Sequence, residues 1–198
     1  MQVNKLKISR EEINVMLEQD FFILKDSATK KIIELFGSLE RELKVEVEKS
    51  GLNYDGLNIS SGKIFRGENY KLFPYIVLDY PRLFSKNSIF AFRTLFWWGH
   101  EFSFTMHLQG EALDKYQLNL IKNFDKLYNK EVYFCINDTP WQYHFGKDNY
   151  ELIDNLKREI NVFKRPFIKL SRKMGINEYE DLDSFSLETF RIFCKVLK

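Results

Sequence analysis

Between Ile89 and Gln109 the chain reads IFAFRTLFWWGHEFSFTMHLQ, two apolar and aromatic runs hinged at Gly99. The phenylalanines, at 90, 92 and 96 in the first run and at 102 and 104 in the second, all fall on alternate positions, the mark of strands with one buried face. The alternation also sets the register of the hairpin. A two-residue turn, Gly99 and His100, would put Phe96 opposite Ser103 and Phe92 opposite His107, mixing the faces. The odd turn Trp98, Gly99, His100 pairs Phe96 with Phe102 and Phe92 with Met106. Phe90, Phe92, Phe96, Phe102, Phe104, Met106 and Leu108 then share one side. A one-residue slip would flip all of them. Burying each large apolar side chain contributes roughly 1.5–3 kcal/mol, so several together outweigh any preference of the turn. The opposite side carries Arg93, Glu101, Ser103, Thr105 and His107, with Arg93 across from Thr105 and Ala91 across from His107.

The flanking segments supply helices. Ser9 and Glu12 form a capping-box pattern that opens a helix over about Arg10–Glu18. Phe21, Phe22, Ile23 and Leu24 read as an apolar bridge. A second helix opens near Ser27, with Ile32, Phe36, Leu39, Leu43 and Val47 on its inner face, and ends at Ser50 and Gly51. Gly37 inside it reads as a close packing contact. Leu52–Gly62 is a loop, Lys63–Arg66 a short strand, and Phe73–Tyr80 a strand closed by Pro81. After the hairpin come an amphipathic helix over Glu111–Tyr128 and a second hairpin made of Val132–Ile136 and Trp141–Phe145. A helix over Asn149–Phe163, a last strand over Phe167–Arg172 and a helix capped by Ser186 complete the expectation.

Strands joined by tight turns are antiparallel, and runs of helix set apart from runs of strand indicate α+β. The expected fold is a single α+β domain over residues 1–198, an antiparallel meander sheet with amphipathic helices mainly on one face. It comprises a helical segment at about 9–50, a sheet core at about 63–109 and a mixed α/β part at about 110–198. With 44% hydrophobic and 16% aromatic residues, 198 residues are enough to bury roughly 70% of the unfolded surface without a disulfide or metal.

Composition also narrows function. The 30 basic and 28 acidic residues leave a net charge of +2, which argues against a nucleic-acid binder. The basic run Lys157, Arg158, Lys164, Arg165, Lys169, Arg172 and Lys173 is answered by Glu178, Glu180, Asp181 and Asp183, and reads as a solvated surface. Cys135 and Cys194, far apart among apolar neighbours, read as buried reduced thiols. The N-terminal residues show no apolar leader and no run is long enough for a membrane span, so a cytoplasmic protein is expected. Frequent Lys, Asn, Ile, Phe and Tyr reflect A/T-rich codons and suggest a bacterial source.

No phosphate-binding loop, nucleophile elbow or RNA-binding signature occurs. His100, His107 and His144 lack metal-ligand spacing, so neither metal nor cofactor is expected. Asp79 ends a strand as the first acid of a metal-dependent nuclease would, but no ExK or DxK follows; Glu68-Asn69-Tyr70-Lys71 lies earlier with the wrong spacing.

What remains is a constellation on neighbouring strands: Arg66, Asp79, Arg82, Arg93, Glu101, Thr105 and His107. An arginine on a central strand is costly to bury alone, so Arg93 must find a carboxylate, solvent or an anion. The plain outcome is an ion pair with Asp79 or Glu101, or a solvated sheet face. The functional alternative is a cleft over the uncovered sheet. There Arg93 and Arg82 bind a small anionic ligand, Trp97 and Tyr80 form walls, and His107 is an acid, base or donor. A second function is protein–protein interaction or homodimerisation through an aromatic surplus: Phe73, Tyr75, Trp97, Trp98, Trp141 and Tyr143. An enzyme using His107 with Asp79 or Glu101 ranks last, because no nucleophile sits beside a histidine.

Overall fold

A computed structural model describes residues 6–156 and 165–198. Helices α1 (Arg10–Leu17) and α2 (Gln19–Ser50) precede strands β1 (Lys63–Tyr70), β2 (Phe73–Phe84), β3 (Ser88–Trp97) and β4 (Glu101–Gly110). Helix α3 (Glu111–Asn123), strands β5 (Tyr133–Cys135), β6 (Tyr150–Leu152) and β7 (Phe167–Gly175), and helix α4 (Leu182–Val196) follow. The strands form one seven-stranded antiparallel sheet in the order β1-β2-β3-β4-β7-β5-β6, an α+β fold.

The hairpin has the register its phenylalanines demand. Phe96 faces Phe102, Phe92 faces Met106, Arg93 faces Thr105 and Ala91 faces His107 across the turn Trp98–His100. Gly99 makes that turn at φ +72°, a conformation side-chain-bearing residues avoid. Phe90, Phe92, Phe96, Phe102, Phe104, Met106 and Leu108 are all buried in one core with Phe36, Leu39 and Leu43 of α2, Leu113 and Leu120 of α3, and Phe190 and Phe193 of α4. The helices thus pack on one face of the sheet. Arg172 of β7 enters the same side; its Nη1 donates to Glu188 and Thr189 of α4 while its buried Nε is unpartnered, and it lies over the Phe185 ring.

Several expected elements differ. Strand β2 passes through Pro81 to Phe84, because the register shifts between Asp79 and Arg82 and the proline, which has no N–H, sits in that irregularity. Trp141–Phe145 is not a strand; β5 pairs instead with β6, Cys135 opposite Tyr150, after a turn in which Asn149 and Tyr150 donate to the Gly146 carbonyl. The aromatic alternation of Trp141–Phe145 covers a sheet face rather than extending the sheet. Residues 149–156, expected as helix, are β6 and a short turn of 3₁₀-helix; the rest of that expected helix lies outside the described residues.

Strand β7 slots between β4 and β5, pairing with β4 from Glu101–Gly175 to Gln109–Phe167. Helix α4 begins at Leu182, so Ser186 is a buried residue inside it and not its cap. Helix α2 starts at Gln19, so Phe21–Leu24 are helical, and no residue of α2 before Thr29 is buried. A Cβ on Gly37 would meet nothing within 4 Å, so that glycine marks open space, not a close contact.

Candidate functional site

The sheet face away from the helices is not open. Residues 137–149 run across it as a strap, anchored by buried polar groups of the strands. Tyr70 of β1 turns its hydroxyl to the backbone N–H of Tyr143, at 2.7 Å, and of His144. His144 is braced by Asp148, and Asn149 donates its amide to the His144 carbonyl. Tyr143 reaches down to the centre of the sheet, where its hydroxyl meets Arg93.

Arg93 and Asp79 are directly opposed across β3 and β2. Their side chains form a two-pronged pair, Nε to Oδ1 and Nη2 to Oδ2, both at 2.7 Å. Asp79 is buried and keeps the neighbouring guanidinium charged against the pull of its own burial. This is the ion pair that the sequence allowed as the plain outcome, and Asp79, not Glu101, is the partner. Burial pushes the Tyr143 phenol up to about 12.

Beside this pair lies Lys169 of β7, one of the basic residues expected on a solvated surface. It is fully buried. Its Nζ donates to the backbone carbonyls of Pro140 and Gln142 at 2.7 and 2.6 Å, buttoning the strap to the sheet, and lies 4.4 Å from the Tyr143 ring centre. Burial, with Arg93 nearby, brings its ammonium down to about 7. In the strand pattern Lys169 simply alternates with Ile168 and Leu170, as a solvent-facing residue would. Only the strap, contributed by a distant part of the chain, reveals its burial.

His107 pairs with Lys169 across β4 and β7, and its ring meets Trp141 and Phe167 edge-on. Burial, then the charge of Lys169, holds its imidazole neutral down to about 3. Its Nε2 has no hydrogen-bond partner. Thr105 is buried and bonded to Ser171. Arg93, Thr105, His107, Lys169, Tyr143, Ala91 and Phe84 line a small cavity with room for about one water-sized molecule.

The other expected site residues lie elsewhere. Arg82, in register with Ala91, is half-buried at the bulge with its Nε unpartnered. Trp97 is on the strapped face, but buried with Val77 and Leu95 and stacked on His100. Tyr80 belongs to the helix-covered core, its hydroxyl on the Ile59 carbonyl, and is no wall of this site. Glu101 lies six positions from His107 on the same strand, about 20 Å away at the strand rise. It lies 4.0 Å from Lys173, with its carboxyl raised by burial. His107 therefore meets neither carboxylate as a catalytic pair: Asp79 is taken by Arg93, and Glu101 is out of reach.

Arg66 is exposed in a separate groove of about 150 Å³, walled by Phe22, Pro74, Tyr75, Ile76 and Trp98 and flanked by Lys25 of α2. Lys25 is paired with Glu68 and Asp26 with Lys30, whereas Arg66 has no ion-pair partner among the described residues. The groove lies where α2 emerges from α1, and there the molecule departs furthest from a closed surface. Helix α1 buries no residue, although Ile13, Val15, Met16 and Leu17 are four of its eight side chains. Phe21, Phe22, Ile23 and Leu24 continue the display, each about half exposed or more. Of the aromatic surplus expected from sequence, Phe73, Tyr75 and Tyr143 gather around the buried Trp97, and of the six residues only Phe73 and Trp141 are exposed.

Among the described residues no cluster of His, Cys, Asp and Glu could hold a metal ion, and no helix is long and apolar enough to cross a membrane. Comparison with protein-family models, curated proteins and solved structures finds no match.

Proposed function

We propose that the protein is an interaction module that pairs with a second copy of itself by exchanging its N-terminal helical arm, residues 10–24. The observation that carries this is α1, a helix with its own complete capping box that buries none of its apolar side chains. Apolar display on this scale marks an interaction surface. A second copy is favoured because arm and groove are complementary in charge. Residues 10–18 hold Glu11, Glu12 and Glu18 against Arg10 alone, and the groove beside α2 holds the unpaired Arg66 among apolar walls. If each arm lies in its partner's groove, one two-fold axis fills both and the assembly closes as a dimer.

The module is taken to be a cytoplasmic protein, for which the two buried free thiols, Cys135 and Cys194, speak. Sedimentation across micromolar concentrations tests the pairing. The expected result is a concentration-dependent dimer that Leu17→Asp converts to monomer, its melting temperature matching that of the unaltered chain at concentrations too low for pairing, since Leu17 is 69% exposed. Arg66→Glu should weaken the dimer, and adding Glu11→Lys and Glu18→Lys should restore it. A strict monomer at every concentration would overturn the proposal.

A further inference from the structure

At the centre of the strapped face one carboxylate answers only one of two cations. Arg93 occupies both oxygens of Asp79. Lys169, wholly shielded from solvent, has no carboxylate in ion-pair reach among the described residues, and two of its three ammonium donors are used by Pro140 and Gln142. A buried charge without a counter-charge is costly. Against these groups lies the one-molecule cavity, and in its wall His107, 5% exposed, has an Nε2 with nothing to bond.

We propose that this cavity binds one small monatomic anion, of the size of chloride, between Lys169, Arg93 and His107, and that the anion locks the strap onto the sheet. The anion supplies an acceptor for the remaining lysine donor and balances the second cation. The cavity is too small for phosphate, sulfate or a larger metabolite while the strap is in place. The cations it would hold are those that grip the strap, Lys169 through the carbonyls of Pro140 and Gln142 and Arg93 through the Tyr143 hydroxyl. Anion binding and strap closure therefore stabilise each other.

The groups facing Lys169 set the pH dependence. They are Arg93 with Asp79 on β3 and β2, His107 on β4, Cys135 on β5, Tyr150 on β6 and Tyr143 of the strap. Burial holds the Cys135 thiol and the Tyr150 phenol in their neutral forms, and His107 is neutral as well, so Lys169 is the group that titrates near neutrality. With its ammonium brought down to about 7, binding takes up a proton above neutral pH, and the apparent affinity should weaken roughly thirtyfold between about pH 6 and about pH 8.5.

The test titrates sodium chloride and, separately, sodium formate into the whole chain, with the bulky methanesulfonate holding ionic strength constant. Thermal unfolding and calorimetry in two buffers of different ionisation enthalpy are followed. The expected result is a saturable rise in melting temperature with chloride and none with formate, whose three heavy atoms exceed a cavity for one water-sized occupant. It should weaken at the higher pH, be accompanied by proton uptake, and be absent with methanesulfonate. Lys169→Met, which keeps the length and apolar stem of the side chain, should abolish the response. Should that variant not fold, chloride nuclear relaxation on the unaltered protein decides: excess line broadening at about pH 6 that falls away at about pH 8.5 supports the site. No saturable effect of chloride, an equal effect of formate, an undiminished response in Lys169→Met, or no relaxation effect overturns it. These outcomes do not depend on the arm, so an Arg66→Glu protein should bind the anion as the unaltered chain does.

Discussion

The two faces of the sheet are built from the same strands by opposite means. The helix-covered face stacks aromatic rings, Phe92 on Phe190, Phe96 on Phe102 and Phe104 on Phe185, and among its strand residues Thr94 has a buried hydroxyl without a partner. The strapped face buries Asp79, His107 and Lys169, and most of Arg93, under a segment with almost no regular structure. On the first face stability comes from apolar area and tight packing, which any close-fitting hydrophobe could supply. On the second it depends on each charge keeping its partner, because a half-satisfied polar network in a low-dielectric interior is worse than none. The first face therefore tells what holds the molecule together, and the second is where a ligand or a proton can act on it.

Substitutions can break this contrast. The largest effect is expected for Phe92→Ala, which removes a fully buried ring between β3 and α4 and should cost about 4 kcal/mol in a denaturant titration. Asp79→Ala should cost about 3 kcal/mol, because it leaves Arg93 charged and unpaired. Here the faces separate: Asp79→Leu combined with Arg93→Met should recover most of that loss, whereas no second change on the helix side rescues Phe92→Ala. A double variant as unstable as Asp79→Ala alone would erase the distinction.

A smaller effect comes from pH. The folded chain holds the Lys169 ammonium at about 7, below its ordinary value near 10.4 in the unfolded chain. Between these values the unfolded state binds more protons, so Lys169 makes stability rise with pH. Denaturation measured from pH 7 to about pH 9 should show that rise, and Lys169→Met should flatten it, while changes confined to the helix face should leave it. The smallest effect is a gain: Gly37→Ala should add up to about 1 kcal/mol, because the helix gains propensity and the new methyl meets open space.

The hairpin was legible from the sequence down to individual residue pairs. Strand side chains alternate strictly, and seven apolar residues could be gathered on one side in only one way. The amphipathic faces of α2, α3 and α4 were legible for the same reason. Phe21–Leu24 misled because an apolar run usually marks burial, and here it forms helix left about half exposed or more among the described residues. Trp141–Phe145 misled because a strap over a sheet needs inward aromatic side chains just as a strand does. Of the site, the pairing of Arg93 with Thr105 and the need for a carboxylate could be read, since both follow from local register and charge. Lys169 could not, because its neighbours in sequence say nothing of what lies above it.

The letters by themselves determined the α+β class, the hairpin register and the two-sided character of its strands, all consequences of short-range periodicity and of the cost of exposing aromatic side chains. The tertiary structure alone decided that β7 enters between β4 and β5, that residues 137–149 close over the polar face, and that α1 is left without cover. Those are matters of which distant segments meet, and contact across a long loop leaves no local pattern because its energy is gained only once the chain has closed on itself.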